Sequence, residues 1–126
     1  MLGIIVAGCR DFNDYKLAKA NIQREIKGQG ITKTSEFKII SGGARGADRI
    51  GETFAEEFDL NLEIIPADWD KHGKSAGPIR NRQMAEHAKS LGEGMLIAFW
   101  DGKSRGTKNM IDIATRMGFV VKIIKI

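Results

Sequence analysis

The chain has 126 residues, of which 42% are hydrophobic and 29% charged. That is an ordinary globular balance, sized for one domain spanning 1–126 and far from a disordered composition. Lys plus Arg is 20 against 16 for Asp plus Glu, and the resulting +4 permits an anionic partner without requiring one. One cysteine, Cys9, excludes an intrachain disulfide, and with only His72 and His87 beside it a Cys/His zinc site is not expected. No apolar run reaches membrane-spanning length, and Met1 to Ala7 lacks the basic leader of a signal peptide, so the expectation is a soluble cytoplasmic protein.

In chain order, the first apolar run is Gly3–Ala7, followed by the loop Gly8-Cys-Arg-Asp-Phe-Asn-Asp14. Ala18, Ile22 and Ile26 then repeat every four residues, as one stripe of a helix capped by Asn13 or Asp14 and stopped near Gly28. Phe37–Ser41 is a second β-rich run, and Ser41-Gly-Gly-Ala-Arg-Gly-Ala-Asp48 leads from it into a helix striped by Ile50, Phe54 and Phe58. Leu62–Pro66 is the third run. The basic, Gly-rich stretch 67–78 reads as a site loop, and Pro78 suits the first turn of a helix carrying Met84, Ala88 and Leu91 and ending near Gly92. Met95–Phe99 precedes the loop Trp100-Asp-Gly-Lys-Ser-Arg-Gly-Thr107. Thr107 can cap a helix carrying Met110, Ile113, Ala114 and Met117, Gly118 can stop it, and Val120–Ile124 closes the chain. The first and fourth runs do not alternate, which implies burial on both faces.

This order is β-α-β-α-β-α-β-α-β. It predicts an α/β fold: a single Rossmann-like domain with a five-stranded parallel sheet, order 3-2-1-4-5, and helices on both faces. Ligands of such sheets bind at the carboxyl ends of the strands, where the order reverses. The loops expected there, with the helix turns they open, carry Arg10, Arg45, Lys71, Lys74, Arg80, Arg82, Lys103, Arg105 and Lys108, nine of the 20 cations. Glycine loops and helix N-termini at that edge would favour a phosphate-bearing ligand. The Walker A spacing is not met, because Asp68 and Ile97 stand where its first glycine belongs. Gly-Lys-Ser nevertheless occurs at 73–75 and at 102–104, as if opening two similar anion-facing helices. Trp69 and Trp100 can either stack on a base or anchor loops, Cys9 reads as a small buried residue, and His87 as a surface one. Asp11, Asp48, Asp68, Asp70 and Asp101 are carboxylates of the same edge that could hold ribose hydroxyls, bind a metal or act as a base.

Taken together, Val6-Ala-Gly-Cys-Arg-Asp-Phe12, Ser41–Asp48, Gly77-Pro-Ile-Arg-Asn-Arg-Gln-Met84 and Arg105-Gly-Thr107 resemble the YspA/YpsA-related branch of the SLOG superfamily. That superfamily includes the DNA-processing protein DprA (Smf) and the Lonely Guy enzymes. The resemblance implies a Rossmann-like fold and a pocket for nucleotides or nucleotide derivatives, in proteins common in bacteria and their phages and often tied to conflict or nucleotide signalling. Family members often pair through helices, so a homodimer is implied. Lonely Guy enzymes split nucleoside monophosphates into base and ribose phosphate with a Pro-Gly-Gly-x-Gly-Thr-x-x-Glu motif. Here Gly106-Thr107 matches, Lys103-Ser104-Arg105 replaces the lead, and Met110 stands in place of the catalytic Glu. Arg80, four residues before Met84, matches their motif arginine.

The expected ligand-binding set is Gly8, Arg10, Gly42, Gly43, Arg45, Gly46, Asp48, Trp69, Arg80, Asn81, Arg105, Gly106 and Thr107. Phosphate is expected at the Gly42, Gly43 and Gly46 backbone and the Gly106-Thr107 helix start, supported by Arg80. The leading expectation is a module that binds a phosphorylated nucleotide or an ADP-ribose-like ligand, as sensor, carrier or sequestering protein. The alternatives are an N-glycosidic hydrolase using Asp48 or Asp101, or less favourably Asp68 or Asp70, and single-stranded nucleic-acid binding as in DprA. No resident cofactor or metal is expected, apart from a Mg2+ that could accompany a phosphorylated ligand.

Overall fold

The architecture is taken from a computed structural model that describes residues 1–126. Five parallel strands form one sheet in the order β3-β2-β1-β4-β5: β1 Leu2–Gly8, β2 Phe37–Ser41, β3 Leu62–Ile64, β4 Glu93–Trp100 and β5 Val120–Lys125. The expected order and direction are therefore found. β1 and β4 run side by side in register from Leu2↔Glu93 to Gly8↔Phe99, and apart from the exposed Glu93 at the start of β4 they are apolar because helices cover both of their faces. β3 and β5 are the edges and are only partly covered.

Two buried layers sandwich the sheet. On one face, α1 (Tyr15–Gly28) contributes Ala18 and Ile22, and α2 (Ala47–Glu57) contributes Ile50, Phe54 and Ala55, against Ile4, Val6, Ile39, Ile97 and Phe99. The ring of Phe12 stacks on Phe99 at 4.8 Å between centroids and pins the β1–α1 loop to that layer. On the other face, α4 (Ala76–Ser90) and α5 (Arg105–Arg116) bring Met84, Ala85, Ala88, Met110, Ile113 and Ala114 against Ile5, Ile40, Leu96 and Ala98. The apolar stripes read from the periodicity are thus the faces that meet the sheet, except at Phe58, which lies just past the end of α2 and is exposed. No helix is long and apolar enough to cross a membrane.

Local details depart from the sequence reading in four places. The stretch 67–78 is largely helical. Asp68 caps a short helix, α3 (Trp69–His72), by accepting from the Lys71 N–H at 3.1 Å, and the 3-10 turn Gly73–Ser75 runs directly into α4. A four-residue helix is too short to leave a periodic signature. The cap of α5 is Ser104 rather than Thr107. Its hydroxyl accepts from the Thr107 N–H at 3.4 Å, so the helix begins two residues before Thr107. The two Gly-Lys-Ser copies are not equivalent, since Ser104 caps its helix and Ser75 makes no such bond. Finally, His87 is half-buried on α4. Its Nε2 is enclosed without a hydrogen-bond partner, 3.8 Å from Glu63 Oε1.

Candidate functional site

Strand order reverses between β1 and β4, and an open cavity of about 530 Å³ lies at their carboxyl ends. Its wall is built from the β1–α1 loop (Gly8 to Asp11), the start of α4 (Gly77, Pro78, Arg80, Asn81), Asp101 after β4, and the start of α5 (Ser104 to Thr107, with Asn109 and Met110). Trp69 stands at the rim, half-exposed, on the side where α3 meets Gly77. A second hollow of about 410 Å³ adjoins it under the Gly42–Arg45 turn, and Arg10, Ala44, Trp69 and Arg80 line both.

At α5, Ser104 accepts from Thr107, while the N–H groups of Arg105 and Gly106 have no protein acceptor. Free amides at the positive end of a helix dipole favour an anion. Asp101 stands beside them, but its carboxylate already accepts from the Ser104 N–H (2.9 Å) and the Lys103 N–H (2.8 Å), and these bonds hold it below the usual carboxylate range. It is therefore a fixed anion at neutral pH, unsuited to deliver a proton. Burial pushes the Cys9 thiol up, which lowers its thiolate fraction.

Arg80 enters from the first turn of α4. Its Nη1 donates to the Gly42 carbonyl at 2.6 Å and its Nε to Asn81 Oδ1 at 3.1 Å. Asn81 in turn donates to the Gly106 carbonyl (3.2 Å) and to Asn109 Oδ1 (2.9 Å), tying α4 to the start of α5. Burial lowers the Arg80 pKa, Asp48 opposes that shift, and the nearby Arg10 charge adds to it. No ion pair of the chain uses Arg10, Arg80 or Arg105.

Behind the glycine turn lies a network that the sequence reading did not find. Ser41 Oγ donates to Glu52 Oε2 at 2.7 Å and accepts from the Gly43 N–H at 3.1 Å, and Asp48 Oδ2 accepts from the Ala44 N–H at 3.3 Å. Ser41, Asp48 and Glu52 are all buried. Two of the turn's amides are thereby satisfied inside the protein, whereas those of α5 face the cavity. The available signal was the i, i+4 spacing of Asp48 and Glu52, which puts both carboxylates on the buried side of α2 beside the turn.

Burial raises the Asp48 carboxyl from 3.8 to about 6; Arg80 and the Ala44 amide work against that rise, and Glu52 works with it. The folded state thus binds the Asp48 proton more tightly than the unfolded chain does. The stability this provides is complete below pH 3.8 and is lost as pH rises through about 6. The shift corresponds to a loss on the order of 3 kcal/mol across that window. Asp48→Asn keeps an acceptor for Ala44 and removes the titration. In urea unfolding at pH 4.5 and 7.5, the variant should gain relative to wild type at the higher pH. Parallel pH dependence of the two proteins would contradict this.

The structure therefore places Gly8, Arg10, Trp69, Arg80, Asn81, Arg105, Gly106 and Thr107 around the larger cavity, and Gly42, Gly43 and Arg45 around the smaller one. Gly46 and Asp48 lie behind these walls. Asp68 is spent as a cap, and neither it nor Asp70 lines either hollow. Trp100 is an anchor, its Nε1 donating to the Ser104 carbonyl at 3.0 Å. Arg82, Lys71, Lys74, Lys103 and Lys108 remain outside both hollows, and Lys108 pairs with Asp112 at 3.0 Å. Met110, where the resemblance puts a carboxylate, is a buried part of the cavity wall.

A family model described as "YspA, cpYpsA-related SLOG family" matches residues 3–72. The chain belongs to that family. Among curated proteins it is similar to the Gene 61 protein of Mycobacterium phage D29, 38% identical over 88 residues that cover 66% of this chain and 67% of the phage protein. The SLOG match takes in Arg10 and the Gly42–Asp48 turn but ends before Arg80 and α5, so the roles of those later elements rest on the geometry above.

Proposed function

We propose that this SLOG protein binds a phosphorylated nucleotide, or a nucleotide derivative of the ADP-ribose kind, in the cavity between β1 and β4, without turning it over. The observation that carries the reading is the meeting of the unpartnered Arg105 and Gly106 amides with three guanidinium groups that have no ion pair, Arg10, Arg80 and Arg105, around one cavity. Such a set offers charge-assisted hydrogen bonds to phosphate. The volume suits a small ligand, and the half-exposed Trp69 ring at the rim offers a face for a base. Family membership agrees with a nucleotide-related ligand.

Binding without chemistry follows from the carboxylates. Breaking an N-glycosidic bond needs a group to assist the departing base and one to stabilise an oxocarbenium-like ribose. Met110 can do neither, Asp48 lies behind the wall, and Asp101, held as an anion by two amides, has no proton to give the departing base. Loss of acid–base help removes about 10²–10⁴-fold in rate. AMP incubated overnight with stoichiometric protein should be retained by it and recovered intact by chromatography. Free adenine that forms with wild type and disappears with Asp101→Asn would replace this reading with the hydrolase.

A further inference from the structure

We infer that the hollow under the Gly42–Arg45 turn is a second anion subsite, so that the ligand is a nucleotide carrying a phosphoryl group beyond the one seated at α5. The inference rests on the nucleotide reading above and specifies its ligand. The two hollows differ in charge. The larger one has Asp11 and Asp101 in its wall, together with apolar groups such as Met110. The smaller one is lined by Arg10, Arg45 and Arg80 and by no carboxylate.

Two of those cations, Arg10 and Arg45, are poorly compensated, whereas Arg80 has the charge of Asp48 near it. Arg10 and Arg80 form no ion pair. Arg45 approaches Asp11 at 4.0 Å, but the two side chains are 76% and 98% exposed, a geometry that holds almost nothing in water. The side chains of Arg10 and Arg45 carry no hydrogen bond, and the charges of Arg10 and Arg80 disfavour one another. Like charges gathered on a concave wall raise the local potential and favour an anion there. The neighbouring amides of Gly43 and Ala44 are taken by Ser41 and Asp48, so guanidinium groups, with their forked geometry for phosphate oxygens, are the donors left. A monophosphate at α5 has Arg10, Arg80 and Arg105 in its cavity wall and leaves Arg45, which lines only the smaller hollow, unused.

The two subsites separate by mutation, because Arg45 lines only the smaller hollow and Arg105 only the larger. Calorimetry with AMP, ADP and adenosine 3′,5′-bisphosphate on the intact chain gives the test. At least one of the two doubly phosphorylated probes should bind about 10-fold or more tighter than AMP, the equivalent of one charge-assisted contact. Preference for ADP assigns a contiguous phosphate chain, and preference for the bisphosphate assigns two separated groups. Arg45→Ala should collapse the ratio between the preferred probe and AMP, Arg105→Ala should weaken all three ligands, and Arg82→Ala, outside both hollows, should leave the ratio as in wild type. Equal affinity of wild type for all three, or an advantage that survives Arg45→Ala, overturns the second subsite while leaving the nucleotide reading intact. Failure of every probe to bind overturns both.

Discussion

Gly46→Ala should cost about 3 kcal/mol or more of unfolding free energy. Gly46 caps α2 at φ 80° and ψ −130°, a conformation that L side chains rarely adopt. A Cβ there would also collide with the Cys9 carbonyl oxygen and with the Arg10 backbone, atoms that cannot swing aside. The close approach exists because the Ala47 N–H bonds to the Cys9 carbonyl at 3.3 Å, locking the start of α2 onto the loop after β1. Breaking that lock displaces Arg10 and the Gly42–Arg45 turn together. Gly106→Ala is the comparison, since no atom lies within 4 Å of the added carbon and the position is helical. Urea unfolding followed by circular dichroism should separate the two variants clearly. A Gly46→Ala protein within about 1 kcal/mol of wild type would show that the turn yields more easily than its geometry indicates.

Arg80→Ala should weaken nucleotide binding by about 10- to 150-fold, the equivalent of one charge-assisted hydrogen bond of about 1.5–3 kcal/mol. Arg80 is the one cation that lines both hollows from within a helix and is itself partly buried, so little rotamer freedom remains to be lost on binding. It also bonds the Gly42 carbonyl and faces Asp48, so its removal alters the empty site. Arg80→Lys keeps a charge but loses the fork, and should lie between wild type and alanine. Arg82→Ala, one turn-face away and outside both hollows, should bind as wild type does. Equal affinity of wild type and Arg80→Ala, measured by calorimetry, would remove Arg80 from the site.

Most of the fold was legible because its signals are local. Runs such as Met95–Phe99 are short and unbroken because β4 is covered on both faces, and Ile50 and Phe54 repeat at helical spacing because α2 has one face on the sheet. Strict alternation and right-handed crossovers left few sheet orders, and the one favoured among them is the one found. What escaped was set by short-range capping bonds, which leave no periodic pattern, and by tertiary contact. α3 exists because Asp68 finds the Lys71 amide, and Ser104 takes the cap that Thr107 was expected to hold because Asp101 turns the chain early through Lys103 and Ser104. Of the site, the arginine and glycine loops could be read in one dimension. The commitment of the Gly43 and Ala44 amides to Ser41 and Asp48 could not, because it depends on where α2 packs against β2.

The most direct measurement is a two-dimensional amide spectrum of isotope-labelled protein titrated with AMP. Shifts should concentrate at Gly8, Arg10, Arg105, Gly106 and Thr107 and at the indole N–H of Trp69, with Leu2, Gly92 and Glu93 at the opposite ends of the strands unmoved. A spectrum that does not respond to AMP, or one that responds at Gly92 and Glu93 while Gly106 and Thr107 stay in place, would contradict nucleotide binding in the cavity between β1 and β4.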